Sequence, residues 1–178
     1  MIGWNILATT FRRQERYLLW LLKNYGEFKG SGYRDVVIGW VEDVNTFLES
    51  LESLRRENPE KLRSLSQIVP VERTFQFDLS DFRDKVKEAI SLYVELVENR
   101  RFYVRVQRRG HKGEISSHEE EKEMDAFILD ALKSNGKQAQ IDFKDPDRII
   151  VVETIENRAG VGLITKDMKE KYPFIKVK

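Results

Sequence analysis

Residues 100–112 read RRFYVRVQRRGHK, and residues 145–157 read DPDRIIVVETIEN. The first stretch alternates. Phe102, Val104 and Val106 fall on one face of an extended chain, and Tyr103, Arg105 and Gln107 on the other. Arg101–Gln107 is therefore predicted as a strand with one apolar face. The second stretch opens on Asp145-Pro146-Asp147, a turn signal, and runs into branched apolar residues. It predicts a strand over Arg148–Glu153, a hairpin turn within Glu156–Gly160 and a partner strand over Gly160–Thr165.

Around these strands the periodicity changes to that of helices. Phe82, Val86, Ile90, Tyr93, Val94 and Val97 form one stripe, capped by Asp78 or Ser80, which predicts a long helix. Ser117 with Glu120 predicts a capping box for a second helix to about Lys133. Its core face is Met124, Phe127, Ile128, Ala131 and Leu132, and Asn135-Gly136 closes it. A further strand is expected over Gln138–Phe143.

The first half reads differently. Trp4–Thr10 is a strand candidate, and Arg13–Tyr25 a helix with Gly26 as its C-terminal glycine. A short strand at Glu27–Lys29 and a strand at Arg34–Val41 follow, then a helix capped by Asp43. Asn58-Pro59 predicts a second short helix to Leu65. Ile68–Phe77 reads as a strand, edge or bulged because of Pro70. Strand, helix, strand, strand, helix, strand is the split βαβ order of a ferredoxin-like unit. The division expected is 1–78 and 79–178, with the halves packed together. Trp4, Trp20 and Trp40 are expected in the core.

Composition narrows the function. The 178 residues carry 31 Lys+Arg against 30 Asp+Glu, a net charge of +1. A globally basic nucleic-acid binder is excluded, but a local basic patch is not. The absence of cysteine excludes disulfides, thiolate catalysis and cysteine zinc sites, and favours a cytoplasmic setting. No apolar run is long enough to cross a membrane, and no leader pattern opens the chain.

The stretch 100–112 holds Arg100, Arg101, Arg105, Arg108, Arg109 and Lys112, with His111 and no acid. Arginine's planar fork suits phosphate, Gly110 permits a sharp turn, and Tyr103 with Arg105 would offer stacking. Two readings stand side by side. One is a phosphate or RNA contact. The other is a pair of solvated strand ends neutralised by the acidic segment Glu119–Glu123. Lys137 and Arg158 join the candidates as loop cations. Arg12 and Arg13 join them because they precede a helix, whose first N–H groups favour an anion. Catalytic signals are poor. His111 and His118 would need Glu119 or Glu121 to hold a metal, and Ser116 and Ser117 read as caps. No phosphate loop or dinucleotide fingerprint is present.

On these motifs, FYVRVQRRGHK, QIDF, DPDRIIVVETIEN and GVGLIT in order, the second half resembles the THUMP family. The resemblance implies an α+β fold, with the N-terminal ferredoxin-like split βαβ unit packed on a C-terminal THUMP α/β domain. It implies tRNA binding with no bound cofactor; the residues put forward for that contact, from their charge and placement, are Arg12, Arg13, Arg105, Arg108, Arg109, His111, Lys112, Lys137 and Arg158, and no metal site is expected. In that family a separate catalytic domain modifies the nucleotide. None follows the THUMP-like region before Lys178, so no intrinsic catalysis is expected. The RRGH form of the loop resembles the archaeal and eukaryotic tRNA-acetylation adaptors. That implies a partner in trans, an RNA cytidine acetyltransferase making N4-acetylcytidine, and contact with the acceptor stem and 3′ end. The alternatives are an RNA-binding subunit for a thiolation or methylation enzyme, or a protein-interaction module without RNA contact.

Overall fold

The computed structural model describes residues 3–177. The chain divides into two units. One holds the described residues up to Val71 and those from Asp167 onward, and the other is Glu72–Lys166.

In the first unit, β1 (Ile6–Thr10), α1 (Glu15–Leu22), β2 (Glu27–Gly30), β3 (Val36–Trp40), α2 (Val44–Glu57) and β4 (Leu65–Pro70) follow one another. The sheet order is β2-β3-β1-β4, antiparallel throughout, which is the ferredoxin-like arrangement. One-face spacing builds its core. Leu18, Leu21 and Leu22 of α1 and Phe47, Leu48 and Leu51 of α2 are buried, with Ile6, Leu7 and Ala8 of β1. Asp43 caps α2 by accepting from the Thr46 N–H at 2.7 Å. Gly26 serves a purpose other than the one expected. A Cβ there would lie 2.3 Å from the Trp40 carbonyl oxygen, so close backbone approach demands the glycine. After Asn58 only a single 3-10 turn forms, Pro59–Leu62, because the chain enters β4 at Leu65.

In the second unit the order is β5 (Arg73–Gln76), α3 (Phe82–Ile90), β6 (Arg101–Gln107), α4 (Ser117–Ser134), β7 (Gln140–Ile141), β8 (Arg148–Ile155) and β9 (Arg158–Thr165). The sheet runs β5-β9-β8-β6-β7. β6 is parallel to β7 and β8, and the other neighbours are antiparallel. Phe102, Val104 and Val106 share a core with Ile150 and Val152 of β8 and Ala159 and Val161 of β9. Phe82, Val86 and Ile90 of α3 and Met124, Ile128 and Leu132 of α4 complete it. The predicted stripes are thus the packed faces.

Several expectations change. The single strand Ile68–Phe77 is two strands in two sheets, β4 and β5. The switch falls at Val71, whose N–H donates to the Asn5 carbonyl, and Glu72, whose N–H donates to the Val161 carbonyl. The long helix 82–97 is helical only to Ile90 and then tightens into 3-10 turns at Ser91–Tyr93 and Glu95–Val97. The Ser91 hydroxyl donates to the Glu88 carbonyl there, and Tyr93, Val94 and Val97 stay buried. The expected strand over 138–143 shrinks to β7, because Asp142 accepts from the Lys144 and Asp145 N–H groups and starts a turn. The last segment leaves the second unit. α5 (Lys166–Lys171) leads into buried Tyr172, Phe174 and Ile175, and the Ile68 N–H donates to the Phe174 carbonyl at 2.9 Å. Trp4 is in the core, but Trp20 is 64% exposed and Trp40 50%. No helix among the described residues is long and apolar enough to cross a membrane.

Candidate nucleic-acid interface

Where β6 ends at Gln107 the chain must turn back toward α4. It does so through Gly110 (φ 99°), His111 (φ 52°) and Gly113 (φ 83°), all left-handed. Gly110 adopts this freely. His111 does not, so something must hold it.

The holder is the β8–β9 hairpin. The Arg109 N–H donates to the Thr154 hydroxyl, and the Glu156 N–H donates to the Arg109 carbonyl, both at 2.9 Å. The Arg109 guanidinium meets the Glu153 carboxylate at 2.5 Å, with the side chains 13% and 6% exposed. Burial pushes the Glu153 carboxyl up, and Arg109 opposes that. The His111 ring sits 2.6 Å, Nε2 to Oδ1, from Asn157 and packs beside Phe77. Its Nδ1 is 3.5 Å from Glu114.

Arg109 and His111 are thus consumed in fixing the loop. Other cations are left over. Arg108 donates only to the Gly110 carbonyl, at 3.1 Å. Lys112 is exposed at the loop tip, and Arg158 opens β9 opposite Ile155. None of these three has a carboxylate partner among the described residues. The pairing of Gln107 with Glu153 places loop and hairpin at the same end of the sheet. The result is a loop held by hydrogen bonds and bearing cations that have no carboxylate partner among the described residues.

The rest of the predicted set lies elsewhere. Arg105 turns to α4, 3.1 Å from Glu121, and lies over the Tyr103 ring. Tyr103 is 5% exposed, so it offers no open stacking face, although Phe143 beside it is exposed. Lys137 pairs with Glu98 at 3.4 Å, at the start of β6 rather than its end. Seven strand residues, roughly 20 Å, separate it from the loop. Arg12 and Arg13 are exposed in the turn before α1, in the other unit. Arg101 is held by Asp145 at 2.7 Å and Asp147 at 3.0 Å, which pulls the Asp147 carboxyl down to about 2. The run 100–112 is free of acids in sequence but not in space. Two acids of α4 go to α3, Glu120 to Arg83 and Glu123 to Lys87, while Glu121 and Asp125 go to β6.

Sequence reasoning missed Glu153, Thr154 and Asn157, the residues that seat the loop. The polar run Glu153-Thr154 interrupting an apolar strand was the available signal. Beside β6, Asp125 of α4 accepts from the Val104 N–H at 2.8 Å, and burial pushes its carboxyl up to about 6. Among the described residues no three His, Asp or Glu side chains converge as metal ligands.

Comparison with known proteins places this geometry. Residues 74–164 match the THUMP domain family. No curated protein sequence matches the chain. Among solved structures it is similar to PH1313 from Pyrococcus horikoshii OT3, at 16% identity and a TM-score of 0.60 over 92% of this chain and 55% of that one. It is also similar to TrmN from Thermus thermophilus, at 18% identity and a TM-score of 0.64 over 90% and 45%. A 4-thiouridine synthetase, solved with RNA and ATP, aligns at 14% identity and a TM-score of 0.56 over 91% and 41%. The chain therefore spans about half the length of these proteins.

Proposed function

The chain belongs to the THUMP domain family, and from that premise we propose that it binds tRNA and presents it to a separate modifying enzyme without catalysing a reaction itself. The observation that carries the RNA reading is the loop 108–113, where Arg108 and Lys112 lack carboxylate partners while Arg109 and His111 fix the backbone. A rigid loop holds its cations ready for phosphate at little ordering cost. The 4-thiouridine synthetase with the same fold was solved with RNA bound, which agrees with this reading. The adaptor role, with an RNA cytidine acetyltransferase making N4-acetylcytidine as the partner, rests on the resemblance of the RRGH loop to that of the tRNA-acetylation adaptors.

A salt titration of tRNA binding tests the first part. Each phosphate contact contributes about 0.7–0.9 to the log–log slope. Arg108→Ala with Lys112→Ala should weaken binding and flatten the slope by up to about 1.4–1.8. An unchanged slope would remove the loop from the interface. For the second part, nucleoside mass spectrometry should find new N4-acetylcytidine only when chain, tRNA, acetyl donor and acetyltransferase are combined. A modified nucleoside formed by the chain alone would make it an enzyme.

A further inference from the structure

The segment Phe11–Tyr25 reads FRRQERYLLWLLKNY. Leu18, Leu21 and Leu22 bury one face of α1. The opposite face is then set by helical spacing. Arg16, Trp20 and Lys23 lie at i, i+4 and i+7, and all three are exposed. Arg12 and Arg13 extend the line through the preceding turn. That turn is fixed despite the positive φ of Arg13 (56°), because its N–H donates to Asp35 at 2.9 Å.

Two features separate this face from an ordinary solvated helix. The first is charge. Arg12, Arg13, Arg16 and Lys23 cluster on one short segment, and none of them forms an ion pair among the described residues. The single acid of the segment, Glu15, is turned away and accepts from the Asp35 N–H at 2.6 Å. The second is an open aromatic surface. Trp20 is 64% exposed and lies 5.7 Å from the Tyr17 ring, tilted by 35°. Arg63 sits over the same Tyr17 ring at 5.7 Å. An exposed tryptophan costs solubility, and nothing within this unit covers it. Unpaired cations flanking an open indole match the chemistry of unstacked nucleotides, which offer phosphates and flat bases together.

We propose that Trp20 and Tyr17, flanked by Arg12, Arg13, Arg16 and Lys23, form a second RNA-contact surface on the ferredoxin-like unit, stacking on an unstacked nucleotide and holding its neighbouring phosphates. The inference rests on the reading of the chain as an RNA-binding protein. In the Trp40→Phe variant Trp20 is the one exposed tryptophan, and buried Trp4 adds only a constant background. A single-stranded 12-nucleotide oligoadenylate should quench the Trp20 fluorescence, less so as salt rises. For tRNA, Trp20→Ala should weaken binding about tenfold, and Trp20→Phe should retain most of the affinity. Arg16→Ala with Lys23→Ala should flatten the salt slope while Arg108 and Lys112 remain. Absence of quenching, with unchanged tRNA affinity in Trp20→Ala, overturns the inference. If Arg108→Ala with Lys112→Ala still weakens tRNA binding in that case, the RNA reading survives alone. A wild-type chain that binds no tRNA at low salt overturns both.

Discussion

Arg109 and Glu153 bring opposite charges to 2.5 Å with both side chains nearly out of water. Desolvating each ion costs several kcal/mol, and only their pairing offsets it. Arg109→Ala should therefore destabilise the protein by about 3–5 kcal/mol, read as a lower urea midpoint. Replacing both residues by Met should restore most of that loss; a silent single substitution would show that the pair does not seat the loop. Asp125 sets a pH dependence of the opposite kind to the usual carboxylate. Folded, it holds its proton to about pH 6, against 3.8 in the unfolded chain. The folded state thus binds the extra proton between those values, and stability falls as pH rises from about 4 to 6. The gap corresponds to roughly 3 kcal/mol at neutral pH. Asp125→Asn keeps an acceptor for the Val104 N–H and removes the charge, so it should raise stability at pH 7 and flatten the profile. Asp147 runs the other way: Arg101 holds it down at about 2, so its contribution is present above about pH 4 and is lost toward pH 2. At this scale sequence gave only a list of cations. It could not tell Arg108 from Arg109, because the acid that engages Arg109 lies 44 residues away. The apolar neighbours of Trp20 suggest a core position, but helical spacing points it about 100° from Leu21 and leaves it exposed.

Elements were more legible, wherever periodicity and a cap agreed. β6 ends where its alternation ends, and α2 begins where Asp43 caps it. The two helix caps differ in quality. Asp43 accepts from Thr46 at 2.7 Å, whereas Ser116 accepts from Glu119 at a longer 3.3 Å. Asp43→Ala should accordingly cost about 1 kcal/mol, and Ser116→Ala about half as much, in chemical denaturation. Equal costs would show that cap geometry does not set the difference. Boundaries failed where local chemistry competes with the pattern. Ser91 tightens the end of α3, and Asp142 stops β7 after two residues. The cap lies one residue before the Ser117 expected from the sequence: Ser116 accepts from the Glu119 N–H, and the Glu120 side chain pairs with Arg83. Pro70 points to an edge or bulged strand, and β4 lies at the edge of its sheet, but alternation alone cannot reveal that the next strand joins another sheet.

Across the whole molecule, 31 basic and 30 acidic residues leave little long-range attraction for a polyanion. RNA binding, on the reading proposed, must come from local clusters of cations that acids do not reach. The order of the chain also hides one long-range closure. The segment after Lys166 adjoins the second unit in sequence but completes the first. Tyr172, Phe174 and Ile175 are buried there, the Tyr172 hydroxyl donates to Glu49 at 2.6 Å, and the Gln67 side chain donates to the Lys176 carbonyl. Nothing in the apolar content of so short a tail distinguishes the two destinations. Burial of each large side chain contributes about 1.5–3 kcal/mol, so three of them rival the 5–15 kcal/mol of a typical domain. Truncation after Lys171 should therefore expose β4 and loosen its sheet. Hydrogen exchange reads this directly, because the Ile68 N–H donates to the Phe174 carbonyl. Protection at Ile68 should be lost first, and at the β1 amides paired with β4 next. Protection at Ile68 equal to that of the full chain would show that the tail does not close this sheet.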